Sequence, residues 1–468
     1  MYLEDALKIV VFGLGDIYSK VKHYFYEEKD KIVALIDNNP GLFGTVVDGY
    51  MVDNPKHIQN YHYDSVVITS NAALEMKQQL IELGIESDKI IHFLDYIGNI
   101  PIDVPVSQID SLSLSVLILS NDFGYHGGPI TGMKLAQVLR KKGYNVTIAI
   151  PSGEQKFLDE ISQEKNIKII VVENLGFLSK ENLEWTKGYT YVLANTFIMA
   201  QCAIKLACKR KVFLWLHESI DTYIGYEYWH DEIMEELGNE HLLISAVSEV
   251  ARNNFFSTYH IEKKIDLLPY GIDDKYTRND FYVENDSTTF VIIAPHIYIK
   301  GLDVLFDALH FISKEMGNQC RFVFAGRSND DEYGKNIKEQ IDKNTNCEYL
   351  GELTRKRLFE VYFKADIVII PSRRDSLPLV ATEAMMLKKP CIISDVIGTT
   401  SYIKHKYNGL IFENENGEEL AERICWCLEN KDALKVIAEN ARKTYEEHFT
   451  MQKFEDNVMD VMQLLSSV

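Results

Sequence analysis

The sequence lacks an apolar run long enough to cross a membrane, and it does not begin with a basic segment, an apolar stretch and a cleavage site. Closely spaced cysteine pairs of the zinc-binding type are also absent. The chain has an odd number of cysteines, 7, and Cys425 and Cys427 fall in a helical pattern that turns them to different sides. These absences predict a cytoplasmic chain with reduced thiols, in contact with the inner face of a membrane at most.

Long blocks of basic residues are absent too, and so are short-period repeats and low-complexity tracts. The formal net charge is −20 over 468 residues. This balance argues against a partner of the nucleic-acid class, which needs a basic face. It leaves room for a local basic patch that contacts phosphates or anionic lipid. With 46% hydrophobic residues, a chain of this length can bury several cores, and we expect two to four domains.

Short runs rich in Val and Ile recur along the chain and are typical of strands buried on both faces. Helical patterns lie between many of them, such as Thr131–Lys142, which ends at Gly143. This alternation predicts parallel α/β sheets. The predicted strands are Ile9–Phe12, Ile32–Ile36, Ser65–Ile68, Val116–Leu119, Val146–Ile150, Ile167–Val172, Val212–Leu216, Phe290–Ile293, Phe322–Ala325, Ile367–Ile370 and Cys391–Ser394.

Two polar segments without clear periodicity, 101–113 and 270–289, divide these patterns into three blocks. The predicted organisation is a small Rossmann-like domain over residues 1–105 and two larger lobes over 112–275 and 276–450. A final helix is expected over 451–468.

The first block contains half of a dinucleotide-binding pattern. Its first strand leads into Gly13 and Gly15, and Asp37 ends the next strand. Strand, glycine turn, helix, strand and acid occur in this order in dinucleotide sites. Tyr18, however, stands at the third glycine position, where a bulky side chain hinders the approach of a pyrophosphate. A docking or packing module is therefore favoured over a nucleotide site. The stretch resembles small N-terminal domains of some bacterial polysaccharide-biosynthesis enzymes.

The second block begins with a strand and a glycine-rich loop that contains Gly124, Gly127 and Gly128. Glycines at a helix start allow backbone N–H groups to approach an anion, although a plain strand–helix turn would look the same. His217 follows the strand Val212–Leu216, at the edge where α/β sheets bind ligands. It is a candidate for contact with a sugar hydroxyl or for proton transfer, and a structural histidine is the alternative.

The third block carries the strongest signal. Lys300 precedes Gly301 just after a strand, which places its ammonium group where a diphosphate could lie. Asp375 follows the strand Ile367–Ile370, and Glu383 lies about a turn into the next helix. The helix N-terminus between them, after Leu377, Pro378 and Leu379, offers free N–H groups and the positive end of the helix dipole to a phosphate. Asp375 could hold hydroxyls of a transferred sugar, and Glu383 could accept hydrogen bonds from a ribose.

From about Leu114 onward the chain resembles the large retaining GT-B glycosyltransferase family that includes relatives of glycogen synthase, mannosyltransferases and bacterial surface-polysaccharide enzymes. The motifs occur in the order of that family. Besides the glycine loop and His217 they are Val247-Ser248, Leu268–Asp273, Lys300-Gly301, Ala325-Gly326, Leu350-Gly351, Pro371-Ser372, Glu383-Ala-Met, Lys389-Pro390 and Asn408-Gly409. The resemblance implies two Rossmann-like lobes after the small third domain, and a last helix that crosses back onto the N-terminal lobe.

The chain departs from the family pattern at three positions. Asp375 stands where the family has Glu in its Glu-x7-Glu motif, which retracts the carboxylate by one methylene. His296 is the nearest counterpart of the family's Arg ahead of the Lys-Gly pair, and histidine is only partly charged near neutral pH. Arg327 or Arg373 could supply the second contact with the diphosphate. Tyr270 replaces the family's Asn before Gly-Ile-Asp.

The resemblance implies a retaining transferase that moves a hexose-type sugar from a nucleotide sugar to a glycan, a lipid-linked glycan or a protein. The implied catalytic residues are His217, Lys300 and Asp375. The implied donor contacts are Gly127, Gly128, His296, Lys300, Arg327, Leu377, Pro378, Leu379 and Glu383. No cofactor and no metal are expected, because no Asp-x-Asp triad follows a strand. Residues 1–105 are expected to serve docking, acceptor placement or homo- or hetero-oligomerisation.

Two other functions stay open. A non-catalytic partner subunit could keep this fold without turnover, and Asp375 and His296 are the departures that favour it. A GT-B nucleotide-sugar epimerase would need acids around the donor sugar and no acceptor cleft. Slow donor hydrolysis without acceptor would separate a transferase from a non-catalytic partner.

Overall fold

The structure is a computed structural model that describes residues 7–27, 31–104, 114–121, 123–124, 127–155, 158–159, 167–276 and 287–467. Three sheets organise these residues, and helices lie between their strands in the chain order. This architecture confirms the predicted α/β fold with parallel sheets. None of the helices in the described ranges is both long and apolar enough to span a bilayer.

The first sheet has the order β3-β4-β2-β1-β5-β6, and all its pairings are parallel except the β3–β4 hairpin. Its strands are β1 Lys8–Phe12, β2 Lys31–Ile36, β3 Val46–Val47, β4 Tyr50–Asp53, β5 Ser65–Ile68 and β6 Ile90–His92. The described helices of this domain are Asp16–Glu27, Ala73–Glu82 and Phe93–Asn99.

The second sheet is parallel, with the order β13-β12-β11-β10-β7-β8-β9. Its strands are β7 Ser115–Ser120, β8 Asn145–Ile150, β9 Ile167–Val171, β10 Tyr191–Asn195, β11 Val212–Leu216, β12 Leu242–Ala246 and β13 Asp266–Leu267. The described helices of this lobe are Gly127–Lys141, Ala200–Ala207, Ile220–Gly225, His230–Leu237 and Glu249–Tyr259.

The third sheet is also parallel, with the order β16-β15-β14-β17-β18-β19. Its strands are β14 Thr288–Ile293, β15 Cys320–Ala325, β16 Cys347–Tyr349, β17 Ile367–Ile370, β18 Cys391–Ser394 and β19 Leu410–Phe412. The described helices that follow are Leu302–Phe311, Lys314–Gly317, Glu332–Lys343, Arg355–Lys364, Leu379–Met386, Gly417–Glu429, Lys431–His448 and Met451–Ser466.

Both larger sheets contain a point at which the strand order reverses, between β7 and β10 and between β14 and β17. The helices that leave neighbouring strands there diverge to opposite faces, so a crevice opens beyond the carboxyl ends of the strands. The glycine-rich loop follows β7, Lys300 follows β14 and Asp375 follows β17. The topology therefore directs the predicted site residues to the crevices of the two lobes.

The last helix, Met451–Ser466, packs on the N-terminal lobe. The Phe454 ring stacks on Trp215 with centroids 5.6 Å apart. The Glu455 carboxylate binds Lys141 at 2.5 Å and Lys142 at 2.7 Å, at the end of the helix that follows the glycine loop. This helix therefore joins the end of the chain to the first of the two lobes.

The small domain is docked on the same lobe through its helix Phe93–Asn99. The indole Nε1 of Trp229 donates a hydrogen bond of 2.7 Å to Asp95, and burial raises the pKa of that carboxyl to about 6. Asn182 Nδ2 donates to the carbonyl of Gly98 at 2.8 Å. A Cβ atom on Gly98 would lie 2.0 Å from the carbonyl oxygen of Phe177, so only glycine allows this approach. The contact is close and specific.

Candidate functional site

Lys300 and Asp375 are brought together beyond the ends of β14 and β17. Lys300 Nζ lies 2.6 Å from Asp375 Oδ2, and the two side chains are only 21% and 16% exposed. Gly301 makes this arrangement possible, because it has a positive φ of 62° and a Cβ there would lie 2.1 Å from the carbonyl oxygen of Pro371. The Lys-Gly pair thus lets its loop cross directly over the end of β17.

The loop that carries Asp375 is held by both lobes. The N–H of Gly398 donates to the Asp375 carbonyl at 2.8 Å. From the N-terminal lobe, the Ser248 hydroxyl donates to the carbonyl of Ser376 at 2.5 Å, and the Tyr270 hydroxyl donates to that of Leu377 at 2.5 Å. Burial raises the pKa of Tyr270 far above its usual value, so it remains a neutral donor. The departure to tyrosine at this position therefore ties the site loop to the opposite lobe.

The helix Leu379–Met386 begins beside this loop with no hydrogen-bonding side chain at its N-cap, which is Pro378. Leu377 and Pro378 are buried, whereas Leu379 is half-buried. The N–H of Ala381 donates to the Pro378 carbonyl at 3.1 Å, and the N–H groups of Leu379 and Val380 lie at the positive end of the helix, where an anionic ligand is favoured. Among the predicted donor contacts, Leu377 and Leu379 can offer a backbone N–H here, whereas Pro378 has none and can contribute only shape.

Glu383 is buried one turn further along, with 3% exposure. Its Oε1 forms an ion pair with Arg355, and its Oε2 accepts a hydrogen bond of 2.8 Å from the Tyr362 hydroxyl. Neither partner was anticipated from the sequence, because both belong to the helix Arg355–Lys364, about one β–α unit away. The carboxylate that is the candidate ribose acceptor is thus held at both oxygens.

His296 is the next of the predicted donor contacts, and its side chain is buried. It is 0% exposed, and neither ring nitrogen has a hydrogen-bond partner among the described residues. Burial lowers the pKa of the ring below its usual value, so the imidazole is neutral at pH 7. Its backbone N–H donates to the carbonyl of Arg327 at 2.8 Å, and the side chain of Arg327 is exposed. Burial therefore disfavours a positive charge on His296, and Arg327 is the exposed cation of this pair.

Arg373 is occupied elsewhere. Its guanidinium binds Asp303 at 2.8 and 2.6 Å and Glu415 at 2.6 Å, and it lies 4.0 Å above the Tyr298 ring. This network fixes the loop before Asp375 and leaves Arg373 poorly placed for a ligand. The next residue, Arg374, forms an ion pair with Asp221 of the N-terminal lobe, which the sequence did not indicate.

The N-terminal lobe presents polar groups at the ends of three neighbouring strands. Gly127 and Gly128 begin the helix Gly127–Lys141, and the Gly128 carbonyl accepts a hydrogen bond of 3.1 Å from Asn195 Nδ2. Thr196 has a φ of 108°, a backbone conformation that is strained for a β-branched residue. Buried side-chain atoms for which the described part of the chain provides no hydrogen-bond partner include Asn121 Oδ1, Asn195 Oδ1, Thr196 Oγ1 and His217 Nε2.

His217 lies among these groups, with its ring 4.3 Å from that of Trp215. Burial lowers its pKa to about 3, so the ring is neutral at pH 7. The adjacent Glu218 accepts hydrogen bonds of 2.7 Å from the N–H groups of His217 and Phe197, and burial raises its pKa to about 7. A neutral His217 is suited to hydrogen bonding with a sugar hydroxyl. Glu218 is a buried acid that was not among the predicted site residues.

The glycine turn of the first domain is closed. The N–H of Leu14 donates to Asp37 Oδ2 at 2.7 Å, and the N–H of Asn39 donates to Asp37 Oδ1 at 2.8 Å. Tyr18 is 2% exposed, and its hydroxyl donates to Asp48 at 2.9 Å. The acid that would hold a ribose in a dinucleotide site instead stabilises the turn itself, which favours a packing or docking role for this domain.

Within the described residues, no group of three or more His, Cys, Asp and Glu side chains is arranged to hold a metal ion.

Comparison with known proteins finds family matches for two segments of the chain. Residues 277–444 match the family model for glycosyl transferases group 1, and residues 5–91 match that for the C2185-like N-terminal domain. An uncharacterized glycosyltransferase of Methanocaldococcus jannaschii is 30% identical over 188 residues, which are 40% of this chain and 50% of that protein. The N,N'-diacetylbacillosaminyl-diphospho-undecaprenol alpha-1,3-N-acetylgalactosaminyltransferase of Campylobacter jejuni is 24% identical over 48% of this chain and 56% of its own. The chain thus spans about half the length of these relatives.

Among solved structures, Anabaena HepE in complex with UDP and glucose superimposes with a TM-score of 0.63 at 19% identity. The superposition covers 74% of this chain and 99% of HepE. At this identity the similarity establishes the fold. Together with the family match, it confirms the resemblance to GT-B glycosyltransferases and the predicted GT-B architecture, preceded here by a separate small domain.

Proposed function

We propose that this chain, whose two larger lobes have the GT-B glycosyltransferase fold, transfers a hexose-type sugar from a nucleotide-sugar donor with retention of the anomeric configuration. The observation that carries the proposal is the Lys300–Asp375 pair, 2.6 Å apart at the point where the strand order of the C-terminal lobe reverses. Such a point is where open α/β sheets bind their ligands.

Donor binding would exchange the partners of this pair. The ammonium group of Lys300 would turn to the donor diphosphate, and Asp375 would then be free to accept hydrogen bonds from hydroxyls of the transferred sugar. As the bond between the sugar and the diphosphate breaks, negative charge grows on the leaving phosphate. Lys300 and the free N–H groups at the start of the helix Leu379–Met386 would stabilise that charge.

The remaining predicted residues have supporting roles in this scheme. Glu383 would accept hydrogen bonds from the ribose, and the exposed Arg327 would supply a second positive charge. Gly127, Gly128 and the neutral ring of His217 would contact the sugar from the N-terminal lobe. The acceptor is proposed to be a glycan, a lipid-linked glycan or a protein, in the synthesis of surface polysaccharide or another glycoconjugate. The Campylobacter relative, named for a lipid-linked acceptor, supports the second of these.

The direct test combines binding and turnover. A thermal-shift panel of nucleotides and nucleotide sugars should reveal one donor class, because a ligand of the folded state raises the melting temperature. The donor found should then be hydrolysed slowly without acceptor. Binding without any hydrolysis or transfer would favour the non-catalytic partner, and interconversion of two donor sugars would favour the epimerase.

Activity is expected to persist in EDTA, because protein cations and helix N–H groups are proposed to stabilise the leaving diphosphate. The measurement is the rate of donor hydrolysis with and without chelator, after dialysis. A complete loss that added magnesium or manganese restores would contradict this scheme.

A further inference from the structure

We infer that Arg355 is a positioning residue for the ribose of the nucleotide donor, acting through its ion pair with Glu383. The inference rests on the proposed function, since it assigns a role within the same donor site. Arg355 is the first residue of the helix Arg355–Lys364, and its guanidinium binds Oε1 of Glu383.

The location of Arg355 is unfavourable for its own helix. The first three residues of this helix, Arg355, Lys356 and Arg357, are all basic, and none of the first turn is acidic. Positive charge at a helix N-terminus opposes the helix dipole. A residue that opposes the charge preference of its own helix in this way often has a functional role. For Arg355 the structure provides the compensating contact, which is the carboxylate of Glu383.

The pair is also asymmetric in burial. The side chain of Glu383 is 3% exposed, whereas that of Arg355 is 51% exposed, so the arginine reaches from the surface to a buried acid. The Arg355 guanidinium lies over the Phe359 ring, 5.1 Å from its centre, in a cation–π contact. The Tyr362 hydroxyl holds the second oxygen of Glu383 at 2.8 Å. Arg355 and Tyr362 together set the direction of the remaining lone pairs of the carboxylate.

Those lone pairs are what a ribose needs. Each carboxylate oxygen can accept more than one hydrogen bond, so Glu383 can bind Arg355, Tyr362 and ribose hydroxyls at the same time. Arg355 and Tyr362 would therefore keep the Glu383 carboxylate oriented, so that it discriminates a ribose from a 2′-deoxyribose.

The experiment measures this discrimination directly. UDP, ADP and GDP are each titrated into the wild-type full chain, and the nucleotide that binds is compared with its 2′-deoxy counterpart. We expect the ribonucleotide to bind about tenfold more tightly or better, because a hydrogen bond to a charged group is lost in the deoxy form. The ratio compared is the Kd of the 2′-deoxynucleotide divided by the Kd of the ribonucleotide. In Arg355→Gln this ratio should fall to about threefold or less, because most of the energy of that hydrogen bond is lost.

Two further variants make the result specific. Lys356→Gln removes the same charge from the same exposed turn without touching Glu383, and it should keep the wild-type ratio. Arg355→Lys keeps the positive charge but loses the planar guanidinium group with its paired N–H donors. Its Kd ratio should lie between those of the wild type and Arg355→Gln. Thermal melts are expected to show that all three variants fold, since glutamine in the first turn suits the helix dipole and Arg355→Lys keeps a cation at the wild-type position.

A wild-type ratio in both Arg355→Gln and Arg355→Lys would overturn the inference while leaving the proposed function intact. An equal fall in Lys356→Gln would also overturn it, because the effect would then come from general charge. If the wild-type chain binds none of these three nucleotides and nothing in the thermal-shift panel, the proposed function itself fails and the inference fails with it.

Discussion

The first domain and the C-terminal lobe share a largely parallel sheet with a glycine turn after its first strand, and each contains a lysine–aspartate pair. In the first domain, Lys22 binds Asp48 at 2.9 Å, with side chains 41% and 29% exposed. In the C-terminal lobe, Lys300 binds Asp375 at 2.6 Å, with side chains 21% and 16% exposed. The two pairs have the same chemistry in different surroundings.

The surroundings decide what each pair can do. The Tyr18 hydroxyl also donates to Asp48, and Asp37 closes the adjacent glycine turn by accepting from the N–H of Leu14. Around Lys300 and Asp375 the start of the helix Leu379–Met386 has no side-chain cap, and the crevice between diverging helices lies beside it. The difference is that side chains of the first domain close its glycine turn, whereas the helix start beside Lys300 and Asp375 has no side-chain cap.

Removal of the two lysines is the strongest test of this comparison. Lys300→Ala should slow transfer by roughly 10²–10³-fold, a loss of about 2.7–4 kcal/mol of transition-state stabilisation. Lys22→Ala is the matched control and should leave the rate unchanged, because its pair serves only the first domain. Steady-state kinetics with saturating donor measures both. Near-normal turnover in Lys300→Ala would refute the role of its charge.

The two acids of the donor site should separate kinetically. Asp375→Ala should lower turnover at saturating donor, because this carboxylate contacts the sugar that moves. Glu383→Gln should instead raise the donor concentration needed for half-maximal rate, by about tenfold or more if one charged hydrogen bond is lost. Asp375→Glu should keep partial activity, since it restores the longer acid of the family. If the Asp375 and Glu383 variants change turnover and the donor requirement in the same way, the two acids do not have separate roles.

Deletion of the first domain should change stability more than donor binding. A shortened chain that begins at Ser111 retains Lys300, Asp375 and Glu383, so it should still bind the donor nucleotide and hydrolyse the donor slowly. It should melt at a lower temperature, because it exposes Trp229 and Phe177, on which the helix Phe93–Asn99 packs. Differential scanning calorimetry and nucleotide titration measure the two effects. A folded shortened chain that binds no donor would place the first domain in the active site.

The smallest expected effect is a pH dependence at the docking contact. The pKa of Asp95 is raised from 3.8 to about 6, chiefly by burial, so the folded chain binds more protons than the unfolded chain between these values. This contribution to stability is present at low pH and is lost as the pH rises from about 4 to about 6. It amounts to roughly 2–3 kcal/mol at most.

The isosteric variant Asp95→Asn removes this titration while keeping an oxygen that can accept from Trp229. Relative to the wild type, the variant should gain stability as the pH rises through this range, and denaturant unfolding at pH 4, 5, 6 and 7 measures the difference. If the difference in free energy of unfolding between wild type and variant is the same at all four pH values, Asp95 does not titrate at the contact.

The sequence by itself determined the alternation of buried strands and helices, and with it the parallel sheets and the positions of Lys300 and Asp375 at strand ends. These features follow from local hydrophobic runs and glycine turns, which fix where a strand stops and which residue comes next. The order of the motifs was sufficient to predict the GT-B architecture. The roles proposed for the site residues, and the domain boundaries, stay predictions that the experiments above address.

Only the tertiary structure decided which charges are free to meet a ligand. His296 is buried, and Asp303 and Glu415 bind Arg373, although His296 and Arg373 both look available in the sequence. The positive φ of Thr196 and the ion pair of Arg355 with Glu383 were equally invisible. The physical reason is common to all of them. Burial, strain and ion pairing depend on groups that are distant in the chain, and a strand-by-strand pattern does not record which of those groups meet.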